Sequence, residues 1–217
     1  NCYIGSNKLI TILKMIKSKK IIIGTHNKGK FKELSYLLSK KLQKISPEKY
    51  NIKAPKETGS TFNANALLKA NYFFKKTKTV SLSDDSGLSV SCLGQKPGIH
   101  SARFAKKCGS FTKAMKKIIK LVNAKNKNKN KKTENRRAIF TCSLSLKINA
   151  KKSITVQGKI FGKISNKILG KKGFGYDSIF LPHGYTKTFG QMNKKKKMII
   201  DHRYIAFKKL KKKANFL

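Results

Sequence analysis

Two adjacent carboxylates stand in a chain that is poor in acids. Asp84 and Asp85 lie in the stretch SLSDDSGLSV, although the 217 residues contain 52 Lys and Arg against only 8 Asp and Glu. Two such charges at close range repel by roughly 4 kcal/mol at an effective dielectric constant of about 20, which raises the pKa of one of them unless a cation lies nearby. A metal ion or lysine side chains must therefore accompany the pair. The alternative is that one of the two caps the turn completed by Ser86 and Gly87.

A third acid stands in a comparable setting. Glu57 lies in KETGSTF, two residues before a glycine and ahead of a predicted helix. Mg²⁺ prefers one or two carboxylates together with phosphate oxygens and water. Glu57, Asp84 and Asp85 therefore predict a site for Mg²⁺ bound to a phosphorylated substrate.

A phosphate-binding loop is predicted at GTHNKGK, from Gly24 to Lys30. The loop follows a strand-like run, opens a helix and matches the pattern G-x-x-x-x-G-K, except that Phe31 stands where a Ser or Thr would bind the metal. Backbone amides at the start of a helix can still bind phosphate, and Lys30 can still reach it. On this motif alone, a polar turn into an ordinary helix is an equally good interpretation. Any metal must be held by residues elsewhere in the chain.

A base-binding pocket is predicted where GKKGFGYDSIF is followed by DHR. Glycines on both sides of Phe174 free its ring to lie against a planar ligand. Asp177, His202 and Arg203 can offer hydrogen bonds to base edges or phosphates. The alternative is a glycine-rich bulge in which Phe174 and Tyr176 pack in the core and His202 caps a helix.

The elements that must position these motifs alternate between strand and helix. KIIIGT is a short buried strand followed by leucines at helical spacing, and STFNANALLKANYFF begins with a capping Ser or Thr and continues as a helix. Ala114 to Val122 is predicted as a short helix that runs into the polar loop NAKNKNKNKKTEN. Phe140 to Ile148 is predicted as a strand with one buried face, and Met198 to Leu210 as a helix. Residues 20–217 are therefore predicted to form one mixed α/β domain.

Composition limits the partners that are expected. A net charge of +44 suggests a polyanion, but the lysines are spread along the whole chain, only four residues are arginine, and no specific nucleic acid is expected. No apolar run approaches the ~18 residues that cross a bilayer, so no membrane partner is expected. The four cysteines lack metal-ligand spacing and fit a reducing, cytoplasmic location. Residues 1–19 are interpreted as a basic N-terminal extension of unknown role.

Five stretches together resemble a known family. In chain order, THNKGKFKEL, ETGSTFNANALLKA, DDSGLSVSCLGQKPGIHSARFA, GFGYDSIF and DHR are similar to the motifs of the inosine triphosphate pyrophosphatases, also called the Ham1-like family. The resemblance implies an α/β fold in which a mixed twisted sheet and flanking helices form two lobes around a central cleft, and usually a homodimer. It also implies Mg²⁺-dependent hydrolysis of non-canonical purine nucleoside triphosphates (ITP, dITP, XTP) to the monophosphate and pyrophosphate.

The resemblance also assigns roles to individual residues. It implies that Asp85 binds the metal together with Glu57 and accepts a proton from the attacking water, with Asp84 beside it as the second candidate catalytic residue. The substrate site is implied to comprise Thr25, His26, Asn27, Lys28, Gly29, Lys30, Lys69, Ser86, Phe174, Gly175, Tyr176, Asp177, Lys197, His202 and Arg203. Four positions depart from the usual pattern of the family: His26 stands for Gly, Ala64 for Glu, Ser178 for Pro and Asp201 for Ser.

Two other functions compete with this interpretation. A Maf-like nucleotide pyrophosphatase would share the architecture, but the pairing of DDSG with GFGYD argues against it. A basic nucleic-acid-binding protein would use the high positive charge, but the chain has neither arginine clusters nor aromatic platforms.

Overall fold

The computed structural model describes residues 19–127 and 135–214. The strands are β1 (Lys20–Ile23), β2 (Gln43–Ile45), β3 (Ser81–Val90), β4 (Arg137–Lys147), β5 (Ser153–Ile164) and β6 (Phe180–Pro182). The helices are α1 (Lys28–Leu37), α2 (Phe62–Thr77), α3 (Ser101–Lys107), α4 (Phe111–Lys127), α5 (Lys194–Met198) and α6 (His202–Lys213). None of the helices in these residues is long and apolar enough to span a membrane.

A six-stranded mixed sheet connects these elements in the order β2-β1-β3-β4-β5-β6. β1 is parallel to β2 and to β3, whereas β3, β4, β5 and β6 pair antiparallel in succession. β3 is therefore a central strand, and Asp84 and Asp85 lie opposite Leu144 and Ser143 of β4. The mixed α/β fold predicted from the sequence is confirmed.

Two hydrophobic cores lie at the two ends of β3. Leu82 belongs to the first core, with residues of α1 and α6, and Leu88 belongs to the second, with residues of α3 and α4. Between these leucines, β3 carries Asp84, Asp85 and Ser86 in place of apolar side chains. The middle of β3 is thus a polar segment where the two cores meet.

The sequence predicts one buried face for β4, but both faces are buried. Cys142, Leu144 and Leu146 pack in the first core, as their alternation indicates. On the opposite face, the hydroxyl of Ser143 donates a 2.6 Å hydrogen bond to Oδ1 of Asn63 in α2. Because small polar residues on this face pair with α2, the strand is covered on both sides without a second apolar row.

α4 is longer than the sequence predicts. It continues past Val122 to Lys127, and the side chain of Asn126 fixes its end. Nδ2 of Asn126 donates to the carbonyl of Val122 at 3.0 Å, and its Oδ1 accepts from the amide of Asn135 at 2.9 Å. The remainder of the predicted loop, residues 128–134, lies outside the described residues, as do residues 1–18 of the predicted N-terminal extension.

The helix predicted from Met198 to Leu210 begins only at His202, as α6, and Met198 is the last residue of the separate short helix α5. Asp201 separates them because its Oδ1 caps α6, accepting from the amides of Arg203 at 3.0 Å and Tyr204 at 2.9 Å. This cap places Arg203 in the first turn of α6, where it faces β3.

Candidate active site

Four elements meet at the middle of β3. The first turn of α1 brings Lys30, the side of α2 brings Lys69, and the first turn of α6 brings Arg203. The segment before β6 brings Phe174 and Asp177 to the same group. Residues that are far apart in the sequence therefore form one site, as the motifs predict.

Asp84 is fully buried and paired with two cations. Its Oδ2 lies 3.0 Å from Nζ of Lys30 and 3.5 Å from Nη2 of Arg203, and it accepts a 3.0 Å hydrogen bond from the Ser86 hydroxyl. Burial alone would raise the pKa of Asp84, but Lys30 and Arg203 outweigh it and hold this pKa well below its usual range. Asp84 therefore stays ionised. It is suited to hold Lys30 and Arg203 in position, and it is poorly suited to accept a proton.

Asp85 points toward α2, because neighbouring residues of a strand alternate between its faces. Oδ2 of Asp85 accepts a 3.1 Å hydrogen bond from Nδ2 of Asn65, and Oδ1 lies 3.6 Å from Nζ of Lys69. Burial raises the pKa of Asp85, and Lys69 and Lys30 offset this only in part. A carboxylate with a raised pKa is a suitable proton acceptor.

Glu57 shares Lys69 with Asp85. Its Oε1 lies 2.7 Å from Nζ of Lys69, and its Oε2 lies 3.4 Å from Nη2 of Arg103. Burial opposes ionisation of Glu57, but the pairing with Lys69 prevails and the pKa of Glu57 is lowered. Burial likewise opposes the charge on Lys69, but Asp85, Asp84 and Glu57 together raise the pKa of Lys69. The pairing therefore favours the charged forms of Glu57 and Lys69.

The donor set fits Mg²⁺ when substrate oxygens complete it. Among the described residues, no three or more His, Cys, Asp or Glu side chains form a group that could hold a metal ion. Two carboxylates, those of Glu57 and Asp85, do lie on either side of Lys69. Mg²⁺ is satisfied by one or two carboxylates when phosphate oxygens and water supply the rest. The sequence also predicts Asp84 as part of the Mg²⁺ site, but the Asp84 carboxylate instead contacts Lys30 and Arg203.

A buried charge cluster lies on the far side of Asp84. Nζ of Lys197 is 2.9 Å from Oε1 of Glu33 and 2.8 Å from Oδ2 of Asp177. Arg203 pairs through Nη1 with the other carboxylate oxygen of Glu33. Burial raises the pKa of Asp177, which Lys197 offsets only in part. Lys197 and Arg203, both predicted for the substrate site, are thus fixed in position by buried carboxylates.

Tyr176 and His202 form walls of the site. The hydroxyl of Tyr176 donates a 2.8 Å hydrogen bond to the carbonyl of Ser101. The ring of His202 stacks on Phe140 with 4.8 Å between centroids. Burial, together with the neighbouring Arg203, lowers the pKa of His202 well below its usual value. His202 is therefore neutral at physiological pH.

Phe174 separates two cavities. Its ring centroid lies 4.8 Å from Nζ of Lys197 and 5.8 Å from Cζ of Arg203. The cavity on the Arg203 side, which Gly175 also lines, measures about 80 Å³; this is the space of two or three water molecules at ~30 Å³ each. A cavity of about 400 Å³ lies next to the ring, lined in part by Phe189 and Met192. With Phe174 in this position the smaller cavity is too small for a purine, so either the larger cavity takes the base or the Phe174 ring moves.

The predicted phosphate loop joins β1 to α1. Asn27 caps α1 through a 3.0 Å hydrogen bond from the Lys30 amide, and the Thr25 hydroxyl accepts from the Asn27 amide at 3.2 Å. Lys28 is exposed, and Gly29 lies so close to Phe174 that an added Cβ would approach its ring to 2.7 Å. His26 is different: its Nε2 lies 2.9 Å from the carbonyl of Ile52, away from the acids of β3.

Sequence reasoning missed three side chains of this site. Glu33 anchors Lys197 and Arg203, Asn65 orients Asp85, and Arg103 contacts Glu57. Signals for them existed: Glu33 is one of only eight acids and Arg103 one of only four arginines. Asn65 stands one helical turn before Lys69, on the face of α2 that both share.

The acids of the described residues are concentrated at this site. They comprise Glu33, Glu57, Asp84, Asp85, Asp177 and Asp201, whose side chains are buried or half-buried. Glu48 lies apart on the surface. Negative charge is therefore placed inside the protein, and the described surface is dominated by lysine.

Known proteins with similar sequences identify the family. The sequence model of the Ham1 family matches residues 21–213. The chain belongs to the Ham1 family. A dITP/XTP pyrophosphatase of Caulobacter vibrioides is 38% identical over 192 residues, which cover 88% of this chain and 96% of that protein. A dITP/XTP pyrophosphatase of Zymomonas mobilis is 37% identical over 192 residues, with 88% and 90% covered.

Solved structures of Ham1 proteins share the fold. A HAM1 protein from Coxiella burnetii superposes with a TM-score of 0.80 at 29% identity, covering 91% of this chain and 99% of that one. A nucleoside-triphosphatase, also named dITP/XTP pyrophosphatase, from Mycobacterium abscessus superposes with a TM-score of 0.69 at 30% identity, covering 88% and 98%. The resemblance stated from the sequence motifs is confirmed at the level of family and fold.

Two departures from the usual Ham1 pattern have visible consequences. Ala64 is exposed in the first turn of α2 and brings no carboxylate toward Glu57. Asp201 is buried, caps α6 and lies 3.9 Å from Lys197. Compared with the pattern that the resemblance implies, the chain lacks an acid at Ala64 and has an additional one, Asp201, beside Lys197.

Proposed function

We propose that this protein hydrolyses non-canonical purine nucleoside triphosphates, such as ITP, dITP and XTP, to the monophosphate and pyrophosphate, and so removes them from the nucleotide pool. One observation carries the proposal: two groups of paired cations and carboxylates are built around the neighbouring residues Asp84 and Asp85 of β3, and the charge of Lys30 acts on both carboxylates. One group suits a metal-bound triphosphate, and the other suits the polar edge of a base. The relatives named dITP/XTP pyrophosphatases support this substrate class.

Asp85 is the proposed proton acceptor. A water molecule attacks the α-phosphorus and its proton passes to the carboxylate of Asp85. A new bond forms between the water oxygen and the α-phosphorus. The bond from the α-phosphorus to the α,β-bridging oxygen breaks, and pyrophosphate leaves with that electron pair. The 3.1 Å hydrogen bond from Asn65 keeps the Asp85 carboxylate in one orientation for this step.

Cations and backbone amides bind the triphosphate in this proposal. Lys30 and Lys69 exchange their carboxylate partners for phosphate oxygens, and the amides at the start of α1 bind phosphate as helix N-termini do. Thr25 and Asn27 shape that turn. Mg²⁺, held by Glu57 and Asp85, would neutralise charge on the phosphate oxygens.

Lys197 and Arg203 are proposed to select the base. Hypoxanthine and xanthine carry an acceptor oxygen at C6, which suits two donors, whereas adenine carries an amino donor. Donor facing donor leaves buried polar groups unpaired, at about 1 to 3 kcal/mol each. Guanine shares the C6 oxygen, so its rejection depends on its C2 amino group.

Turnover of a panel of triphosphates tests this function. We expect kcat/KM for ITP, dITP and XTP to exceed that for ATP by roughly 100-fold or more, and pyrophosphate to be the product. In H₂¹⁸O, the label should enter the monophosphate, because water attacks the α-phosphorus. Comparable turnover of ATP and ITP, release of orthophosphate, or label in pyrophosphate would contradict the proposal.

We also propose a cytoplasmic homodimer. Family membership supports the dimer, and the free thiols of Cys108 and Cys142, in the part of the chain that the structure describes, are compatible with a reducing compartment. Light scattering after size-exclusion chromatography tests the dimer, and localisation of a tagged chain tests the compartment.

A further inference from the structure

Arg103 contacts Glu57 from the side opposite Lys69. Nη2 of Arg103 donates to the backbone carbonyl of Glu57 at 3.2 Å and lies 3.4 Å from its Oε2. Nη1 of Arg103 lies 3.0 Å from Nδ1 of His100. Lys69 takes the other carboxylate oxygen, Oε1, at 2.7 Å. One carboxylate is therefore shared by two cations.

This sharing cannot persist once a metal ion binds. A divalent cation on Glu57 repels both Lys69 and Arg103, because all three compete for a single negative charge. A triphosphate brings several negative charges into the same space and offers both cations new partners. Lys69 and Arg103 thus both exchange their ion pairs with the Glu57 carboxylate for ion pairs with phosphate oxygens.

Arg103 is free to make this exchange, whereas the buried arginines Arg203 and Arg136 are not. Its side chain is 48% exposed, while that of Arg203 is 1% exposed and fixed by Glu33 and Asp84. Arg136 is also buried and donates to the carbonyls of Ile164 and Ser165. The guanidinium of Arg103 can rotate toward a ligand without breaking a buried network.

The position of Arg103 indicates which phosphates it meets. The proposed base-binding cations, Lys197 and Arg203, lie on the far side of Asp84, whereas Arg103 lies beyond Glu57, the proposed metal ligand. The α-phosphorus, which is attacked beside Asp85, therefore lies between the base-binding cations and Arg103. The part of the substrate that extends past Asp85, away from the base, is the β- and γ-phosphates.

We infer that Arg103 is a further substrate-binding residue, which leaves Glu57 when the metal-bound triphosphate arrives and then binds the β- and γ-phosphates that depart as pyrophosphate. This inference rests on the proposed pyrophosphatase function. A planar guanidinium with several donors suits phosphate oxygens better than an ammonium group does.

Binding of the two products separates this role from a structural one. Calorimetric titrations at fixed Mg²⁺ compare pyrophosphate with inosine monophosphate (IMP) for the wild type, Arg103→Met and Arg103→Lys. The matched control is Arg137→Met, an exposed arginine at the start of β4. We expect Arg103→Met to weaken pyrophosphate binding roughly tenfold and to leave IMP binding unchanged. The pyrophosphate affinity of Arg103→Lys should lie between those of the wild type and Arg103→Met, and that of Arg137→Met should match the wild type.

The outcomes distinguish this inference from the function on which it rests. Unchanged pyrophosphate binding by Arg103→Met, or equal weakening for both products, overturns the role of Arg103 while the function stands. A wild-type protein that binds neither product overturns the proposed function and this inference with it. Melting temperatures of all variants, measured alongside, show whether the fold is intact.

Discussion

Nζ of Lys69 lies 2.7 Å from Oε1 of Glu57, so an ammonium group already neutralises one of the two carboxylates proposed to hold the metal. The same ammonium group is 3.6 Å from Asp85, the other proposed ligand. Free protein and metal-bound protein must therefore differ in where Lys69 points. This relationship predicts weak metal binding in the absence of nucleotide, since the metal has to compete with a cation that is already in place.

Lys69→Met should strengthen metal binding by the free protein and weaken substrate binding. Without the ammonium group, Glu57 and Asp85 are available to a divalent ion, and we expect the affinity for Mn²⁺ to rise by roughly tenfold. Electron paramagnetic resonance of unbound Mn²⁺ measures this directly. The KM for ITP should rise as well, because a phosphate-binding cation is lost. Unchanged or weaker Mn²⁺ binding by a folded variant would contradict the competition.

Asp85→Asn should abolish turnover and leave the fold intact. The amide cannot accept the proton of the attacking water, so we expect kcat to fall by about 10³-fold; its oxygen can still accept the hydrogen bond from Asn65. Glu57→Gln is the comparison, and it should mainly raise the Mg²⁺ concentration needed for half-maximal rate. Near-normal turnover by Asp85→Asn in saturating Mg²⁺ would exclude Asp85 as the base.

Stability should depend on His202 between pH 7 and 5. Burial holds the pKa of His202 well below its usual value, so the unfolded chain gains a proton below about pH 6.5 while the folded protein does not. The free energy of unfolding should therefore fall as the pH falls, by up to ~1.4 kcal/mol per pH unit from this residue. Asp177 acts in the opposite direction, because its pKa is raised.

His202→Gln isolates the contribution of the histidine. Urea unfolding at several pH values should show a smaller loss of stability toward pH 5 for the variant than for the wild type. His183→Gln, which changes an exposed histidine after β6, is the matched control. Equal pH slopes for the wild type and His202→Gln would show that the histidine is protonated in the folded protein.

Phe174→Trp should report the binding of a base. The chain contains no tryptophan, so the variant has a single indole. For a purine to enter the cavity on the Arg203 side, the ring must leave its place over Lys197. The flanking Gly173 and Gly175 have φ angles of +79° and +66°, which favour glycine. We expect the emission maximum to shift on addition of IMP and to stay constant on addition of pyrophosphate.

A control is available on an exposed strand. Phe161→Trp places the indole on β5, where Phe161 is 60% exposed, and it should respond to neither ligand. Binding of IMP that is measurable by calorimetry but leaves the Phe174→Trp emission unchanged would show that the ring does not move.

Arg136→Met should destabilise the fold without affecting catalysis. Arg136 donates to the carbonyls of Ile164 at 2.7 Å and Ser165 at 3.1 Å, and to Oδ1 of Asn123 at 2.8 Å, so it connects α4 to the end of β5. Leaving these buried acceptors without a donor should lower the free energy of unfolding by about 2 kcal/mol. Urea titration measures this loss, and kcat/KM should match the wild type. A variant as stable as Arg137→Met would contradict the argument.

The strands and helices could be predicted from apolar spacing wherever one type of residue recurs. The alternation of Cys142, Leu144 and Leu146 correctly predicted a buried face of β4. It could not predict that the other face is buried too, because the hydrogen-bond partner of the Ser143 hydroxyl is Asn63, eighty residues earlier in the chain. Burial of small polar residues depends on partners that have no fixed spacing in the sequence.

The candidate site could be predicted where rare residue types mark it. Acids are so scarce that Glu57, Asp84 and Asp85 stood out. The expectation of a metal ion or lysines beside the pair is met by Lys30 and Lys69. That the side chains of Asp84 and Asp85 point to opposite faces of β3 follows from strand alternation. Their different roles can be assigned only when the cations on each face are known. The contact of Arg103 with Glu57 spans 46 residues and depends on the path of a loop, so no local pattern indicates it.

The inward placement of the acids shapes the electric field outside the protein. With carboxylates buried and lysines spread over the described surface, a nucleotide that carries several negative charges is attracted from every direction of approach. Such long-range attraction raises encounter rates and is screened over about 8 Å at physiological ionic strength. Capture of substrate should accordingly slow as salt is added, while the chemistry at the buried carboxylates does not. The lysine-rich exterior thus steers the substrate electrostatically toward a site whose carboxylates are paired with cations.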